Sequence, residues 1–471
     1  MRGIISAGGY VPYRRLQRSE IAAFFGSGGG RGTRSVAGFD EDTTTMGVEA
    51  ARIALRGLPA GFQPDALWFS TANPAYIEKT NATTLHAALR LDTDRPALDV
   101  GAAVRSGIGA LRSALQSNGS LVVVASDVRS GMATSGDESQ GGDGAAAIVV
   151  GDDAHGSVIA ECIGVGTATE EFIDRWRNPG DPVAKQWEER FGEVHYGPLG
   201  EQAWNLACKN AQISAEQVDR LIVTGVHPRA ARSLGARLGA SNAEMVDDLS
   251  GVVGNTGTAH PSLLLTSALE AAEPGQVIGL VVLADGVEAL LFRVTDAITS
   301  WRSGWTVATQ IATAEDLPYG KFLHWKDMVK VEGPRRPEPG RISAAVAGRH
   351  EDWKYAFVGS RDRSTGALHL PPQRVSREGD AIDDMEPAPM SEVRATIAAL
   401  TIDRIAYSPS PPIVFAVVDF DGGGRAALEL TDVNADTIQV GDRVEMTFRR
   451  LFTADGIHNY FWKTRPVRES A

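Results

Sequence analysis

Cysteine is almost missing from this chain. Only Cys162 and Cys208 occur, far apart and outside any Cys-x-x-Cys spacing, which excludes a disulfide framework, a thiolate zinc site and a dithiol redox pair. Long apolar runs are missing too. The opening residues MRGIISAGGYVPYRRL lack an apolar stretch ending in a small-residue cleavage site, and no run reaches the length of a membrane span. A cytoplasmic location without membrane contact is therefore expected. Positive charge is the third scarcity: 46 Lys and Arg stand against 59 Asp and Glu, a formal charge of −13. Binding to a phosphate backbone needs clustered cations, so no nucleic-acid partner is expected. A small anionic ligand is still admissible, since one helix N-terminus and a few basic groups suffice for it. What remains is a chain of 471 residues with 43% hydrophobic and 22% charged residues, long enough for two or three cores.

Up to about residue 296, short apolar runs alternate with Ala-rich helical stretches, the pattern of an α/β layered domain. The layering occurs twice, over 1–155 and 156–296. In the first half a strand is expected over Ala66–Thr71, a helix over Thr83–Leu91, a strand over Ala97–Val104, a helix over Gly107–Leu115, and strands from Leu121 and up to Gly151. The second half repeats this with Leu221–Gly225, a helix over Ala230–Leu238, a short run at Met245, a helix over Pro261–Ala272, and strands from Val277 and Ala289. Two similar halves imply pseudo-twofold packing with equivalent helices meeting at a buried centre. Residues 170–200, with Trp176, Pro179, Pro182, Trp187, Tyr196 and Pro198 but little periodicity, read as an inserted cap, a partner-binding segment or a covering loop with a helical piece. Residues 297–350 read as a linker or docking arm. Over 351–471 five short β runs separated by Gly, Asp and Pro fit an all-β barrel.

Four motifs in order, GGYVPYRRL, GFDEDTTTMGVEAARIAL from Gly38, GDGAAAIVVG from Gly142 and GNTGTA from Gly254, resemble the hydroxymethylglutaryl-CoA synthase and ketoacyl synthase III branch of the thiolase superfamily. The resemblance implies a duplicated five-layer thiolase-like α/β fold that is at least a homodimer, or a hetero-oligomer with another thiolase-type subunit. It implies an acyl-CoA thioester as substrate and no further cofactor. The tail resembles the acyl-CoA-associated OB-fold family, which usually begins with a zinc ribbon. GSRDRSTGALHLPPQRVS from Gly359 keeps that shape, but Asp362 and Thr365 stand where a Cys-x-x-Cys pair would be, and Ser376 stands at a later cysteine position. No bound metal is expected.

Members of the thiolase branch place a nucleophilic cysteine at the N-terminus of the buried central helix, where the helix dipole favours a thiolate. The matching position is Val104, in DVGAAVRSGIGAL, and an isopropyl group cannot form a thioester. The branch's acid–base glutamate falls near Ala72. Its histidine, which polarises the thioester carbonyl, matches His227 in VTGVHPRA. The alternative role of that side chain is to cap the helix after Pro228. Its asparagine, whose amide donates to an enolate or oxyanion, matches Asn255, although GN and TG pairs also make tight turns. His260 reads as a packing or capping residue, or as an acid or base. Tyr76 reads as a tunnel wall or a proton donor. Arg105, directly after the vacated position, reads as a ligand for a carboxylate or CoA phosphate, or as an ion-paired arginine. Asp127, Asp137, Glu138 and Asp143 fall in a Gly-rich stretch expected to be a solvated loop at a dimer interface.

Three functions follow. The first is carbon–carbon bond formation or cleavage beside a CoA thioester by aldol or retro-aldol chemistry, which needs no covalent nucleophile. The second is a non-catalytic acyl-CoA-binding or scaffolding subunit of a thiolase complex. The third is Claisen-type acyl transfer with another nucleophile, for which Cys208, in the helix expected over WNLACKNA, is badly placed.

Overall fold

A computed structural model describes residues 1–301 and 303–468. They form two units. The first holds Met1–Ala37, Asp42–Thr83 and Asp92–Phe322, and the second holds Gly38–Glu41, Thr84–Leu91 and Leu323–Ala471.

In the first unit the aliphatic runs become one ten-stranded sheet. Its strands are β1 (Arg2–Tyr10), β2 (Ala66–Ser70), β3 (Ala97–Asp99), β4 (Leu121–Asp127), β5 (Gly144–Asp152), β6 (Ala160–Ala168), β7 (Arg220–Gly225), β8 (Glu244–Met245), β9 (Val277–Leu283) and β10 (Val287–Val294). They lie side by side as β8-β7-β9-β10-β6-β1-β5-β4-β2-β3. Reading outward from the central β6–β1 pair, each half shows the same sequence of strands, so the repeat read from the pattern is a repeat of topology. The strands are near-continuous apolar runs because both faces of the sheet are covered; β4 and most of β5 are wholly buried.

Helices on the two faces supply that cover. The first, α1 (Thr43–Arg56), starts at a capping box in which the Asp42 carboxylate accepts from Thr45 N–H and the Thr45 hydroxyl oxygen accepts from Asp42 N–H. Two central helices, α2 (Arg105–Gln116) and α5 (His260–Glu270), share one core, where Ile108, Leu111 and Leu115 meet Leu264, Leu265 and Leu269. Gly107 permits their close approach, since a Cβ there would stand 2.7 Å from the Thr258 carbonyl oxygen. Between them in sequence come α3 (Glu189–Ala211) and α4 (Pro228–Gly235).

Two expectations need correction, and the open reading of 170–200 resolves into a hairpin and a helical piece. The strand predicted over Ala97–Val104 ends at Asp99, because Gly101 takes φ +58° and Val104 is already helical. The aperiodic stretch 170–200 holds a short hairpin, Arg175–Trp176 against Lys185–Gln186, and the first half of the 23-residue α3. The arm expected from residue 297 begins inside the first unit, where Trp301, Val307 and Phe322 are buried.

Glu270, at the end of α5, is the misplaced charge of this core. It accepts Val307 N–H at 3.0 Å, and burial raises its carboxyl from 4.5 to about 7. A raised carboxyl favours the folded state fully below about 4.5, and that contribution is lost as pH rises through about 7. Glu270→Gln is therefore expected to raise stability above neutrality by about 3 kcal/mol and to flatten the pH dependence between those two values. Denaturant melts of both proteins at pH 4.5, 6 and 8 check this; equal midpoints at pH 8 would refute it.

In the second unit, strands Val358–Asp362, Leu368–His369 and Met385–Pro389 form a small ribbon sheet. A closed five-stranded barrel follows, made of β11 (Ala395–Asp403), β12 (Ile413–Phe420), β13 (Arg425–Leu430), β14 (Arg443–Ala454) and β15 (Ile457–Pro466) in the order β11-β12-β13-β15-β14. Inward residues alternate as a barrel requires: Val414, Ala416, Val418 and Phe420 are buried along β12. In the ribbon the Asp362 carboxylate occupies the first vacated ligand position and accepts from Ser364 N–H, Ser364 Oγ and Thr365 Oγ1 at 2.7–2.8 Å. Hydrogen bonds from Ser376, Ser364 and Thr365 hold this carboxyl well below the usual carboxylate range. The three positions that replace cysteine thus converge on one another through hydrogen bonds. Among the described residues no group of three or more His, Cys, Asp or Glu could hold a metal ion, and no helix is long and apolar enough to cross a membrane.

Candidate functional site

The C-terminal ends of parallel strands leave backbone N–H groups and loops free to line a crevice, and in the first unit they do. A cavity of about 720 Å³ is lined by Ala72 after β2, Gly101 after β3, Val128 after β4, Val226 after β7 and Ala284 after β9. That volume lies within the range of about 300–1,000 Å³ of small-molecule sites. The short hairpin forms another wall through Arg175, Trp176 and Arg177. Arg175 ties it down with two 2.7 Å bonds to Asp137, and Arg177 donates to the Ala72 carbonyl and, at 3.2 Å, to Asn73 Oδ1.

Val104 lines this cavity together with Ala102 and Ala103, at the residue immediately before α2 (φ −58°, ψ −36°). Tyr76 lines it as well, its backbone N–H fixed by Asn81 Oδ1 at 3.0 Å. Arg105, His227, Asn255 and His260 stand outside the lining. Arg105 lies behind it: Nη2 donates to Glu288 Oε1 at 2.8 Å and to Thr169 Oγ1 at 3.0 Å, and Nη1 donates to the carbonyl of Asp285. His227 is buried and precedes α4, and its Nδ1 accepts from Ala230 N–H at 3.1 Å. That bond leaves the ring proton on Nε2. A single point, where Gly192 would carry a Cβ, lies 3.1 Å from His227 Nε2 and 2.9 Å from an oxygen of Asp174. Asp174 and Tyr196 line the cavity, so His227 stands one layer behind them.

Asn255 donates to the Gly225 carbonyl at 2.8 Å and accepts from Gly257 N–H at 2.9 Å, so its amide joins the end of β7 to the turn before α5. His260 is fully enclosed; burial lowers its imidazole to about 4, and its Nδ1 accepts from Thr256 N–H. The two cysteines are elsewhere. Cys162 sits on β6, its thiol raised to about 11 by burial, and Cys208 in α3 is likewise raised by burial.

The acidic stretch expected to be a solvated loop is instead a buried brace. Asp143 accepts from Ala37 N–H, Arg129 N–H and Arg34 Nη2, and Glu138 accepts from Thr134 N–H and the Tyr319 hydroxyl. Asp127 lines the cavity, accepts from Thr258 N–H at 3.1 Å and is raised by burial.

Comparison with known proteins decides the lineage. The hydroxymethylglutaryl-CoA synthase of Methanopyrus kandleri is 30% identical over 357 residues, which cover 70% of this chain and 98% of that protein. The chain belongs to the hydroxymethylglutaryl-CoA synthase family. The synthase of Pyrobaculum arsenaticum, 29% identical, is covered over 99% of its length. A solved structure described as MvaS in complex with 3-hydroxy-3-methylglutaryl coenzyme A superposes with a TM-score of 0.59 at 19% identity, over 72% of this chain and 94% of that one. The 3-oxoacyl-[acyl-carrier-protein] synthase III of Aquifex aeolicus gives 0.52 at 19% identity, over 62% and 100%. The first unit therefore has the thiolase-like fold. Residues 388–449 match the family described as ChsH2, C-terminal OB-fold domain, and the barrel is that OB-fold.

Set within this family, the cavity contains acid–base groups that sequence reasoning passed over. Asp174, Tyr196 and Asp285 come together from the hairpin, from α3 and from the turn after β9. Asp174 and Tyr196 lay in the segment read as a cap, and Asp285 lay in a turn, ADG, that reads as strand punctuation. No spacing links the three in sequence.

Proposed function

We propose that this protein makes or breaks a carbon–carbon bond beside the thioester of an acyl-CoA, by aldol or retro-aldol chemistry without an acyl-enzyme. The observation that carries the reading is that the cavity presents Val104 at the start of its central helix and no thiol, while carboxyl and phenol groups line the same cavity. Family membership supports the acyl-CoA substrate. The first turn of α2 brings the positive end of a 12-residue helix to the cavity, where it favours charge developing on a thioester oxygen. Asn255 holds the end of β7 and His227 stands near Asp174, both behind the wall rather than in it. Claisen transfer through Cys208 or Cys162 has no support, since neither lines the cavity. An acyl-CoA-binding subunit without turnover is the second reading, favoured by the vacated nucleophile and the vacated ribbon ligands. The protein is proposed to act as a homodimer, for which β3 at the end of the sheet, with Leu98 exposed, is a ready edge.

The test is to incubate the full chain with a panel of β-hydroxyacyl-CoAs and acyl-CoAs and to follow CoA products by mass spectrometry. Turnover that His227→Ala abolishes supports the enzyme; binding without turnover supports the subunit.

A further inference from the structure

A retro-aldol site needs one group to take the proton of the β-hydroxyl and return it to the enolate carbon. Among the described residues five carboxylates line the cavity, and three of them, Asp99, Asp127 and Asp181, accept hydrogen bonds from neighbouring groups, while a fourth, Asp174, is enclosed. Asp99 accepts from Asn81 N–H, Asn81 Nδ2 and Ala82 N–H. Asp127 is buried against Thr258 N–H and Arg129. Asp181 accepts from Asn178 N–H and Nδ2. Asp174 is 2% exposed, with both carboxylate oxygens sealed from solvent. The fifth, Asp285, is exposed, and no hydrogen bond to its carboxylate is recorded among the described residues.

The backbone is built to hold that side chain in place. Asp285 takes φ +47° in the Asp285–Gly286 turn that joins β9 to β10, a conformation aspartate accommodates well in tight turns. The guanidinium of Arg105, the residue after Val104, grips the Asp285 carbonyl while anchored on Glu288, Thr167 and Thr169. The Asp285 N–H donates to the Tyr196 hydroxyl at 3.3 Å. One clamp thus fixes the carboxylate-bearing turn to the start of α2.

We infer that Asp285 is the catalytic acid–base residue of this site, shuttling the proton in aldol cleavage or formation on a β-hydroxyacyl-CoA. The inference rests on the acyl-CoA reading above. In the cleavage direction the β-hydroxyl proton passes to the Asp285 carboxylate, and the oxygen's electron pair forms a carbonyl as the Cα–Cβ bond breaks. The bond pair becomes the enolate of the shortened acyl-CoA, and the enolate carbon then takes the proton back from the Asp285 carboxyl. The products are an aldehyde or ketone and an acyl-CoA, and no oxidant, reductant or water is consumed. Tyr196 keeps its proton as a donor, since burial and then the charges of Asp174 and Asp285 push its phenol up.

The groups facing Asp285 strengthen it as a base. Burial first, then the charges of Asp174 and Glu171, raise its carboxyl, while Arg105 opposes them. A carboxylate raised toward working pH is the stronger base.

Enolate formation can be read without the full reaction. The full chain is incubated with acetyl-CoA in D2O, deuterium entering the acetyl group is followed by mass spectrometry, and acetyl-CoA binding is measured by calorimetry. Wild type is expected to exchange. Asp285→Asn is expected to lose about 100-fold or more of the rate with unchanged binding, and Asp174→Asn to move the pH midpoint of exchange downward. Exchange at the wild-type rate in Asp285→Asn overturns the inference and leaves the acyl-CoA reading standing. Binding without exchange in wild type also overturns it. Failure of wild type to bind acetyl-CoA overturns both.

Discussion

Val104→Cys is expected to form a stoichiometric acyl adduct with acetyl-CoA where the native protein forms none. The residue is already in helical geometry, so cysteine fits without backbone change. The N-terminus of α2 lowers the pKa of a thiol placed there, and the thiolate is the nucleophile. Intact-mass spectrometry before and after acetyl-CoA addition reads the result directly. An adduct in the native protein would end the proposal of chemistry without an acyl-enzyme. A Val104→Cys protein that stays unmodified although it binds acetyl-CoA would show that this cavity does not present thioesters to α2.

Arg449→Met is expected to destabilise the second unit by about 3–5 kcal/mol, the cost of breaking a buried ion cluster on one side. Arg449 is fully buried within a cage of acids: Nη2 lies 2.9 Å from Asp432 Oδ2 and 3.1 Å from Glu41 Oε1, and Nε lies 3.8 Å from Asp40. Lys463 stands beside it, 3.0 Å from Asp40 and 2.8 Å from Glu429. Burial pushes the Lys463 ammonium down, and the charges of Asp40 and Glu429 overcome that and hold it above the usual lysine value. Methionine keeps an aliphatic stem in place of the arginine's but leaves four acids with one cation. Chemical denaturation gives the midpoint. Adding Asp40→Asn to Arg449→Met should recover part of the loss, because the two residues share one network. A full additive loss in the double variant would refute the coupling.

The amphipathic and apolar periods of the sequence determined the sheet, because a strand buried on both faces must be apolar throughout and the run length marks it. The repeat of such runs marked the duplication, and short runs with alternating burial between Gly, Asp and Pro marked the five-stranded barrel. The identity of residue 104 likewise ruled out a thioester at that position from the sequence alone. Of long α3 only the end, WNLACKNA, was legible as helix; its first half was not, since Gly192, Gly197, Gly200 and Pro198 read as breakers. Their cause is tertiary: a Cβ at those three glycines would strike His227, Arg237 and Leu234 across the helix interface. The acidic stretch around Asp143 was illegible in the same way, because its cations, Arg34 and Arg175, come from distant segments. Only the fold decided that Asp174, Tyr196 and Asp285 share one cavity while His227 and Asn255 stand behind its wall. Chemistry of that kind depends on which strand ends meet, and a one-dimensional pattern records periods and lengths, not meetings.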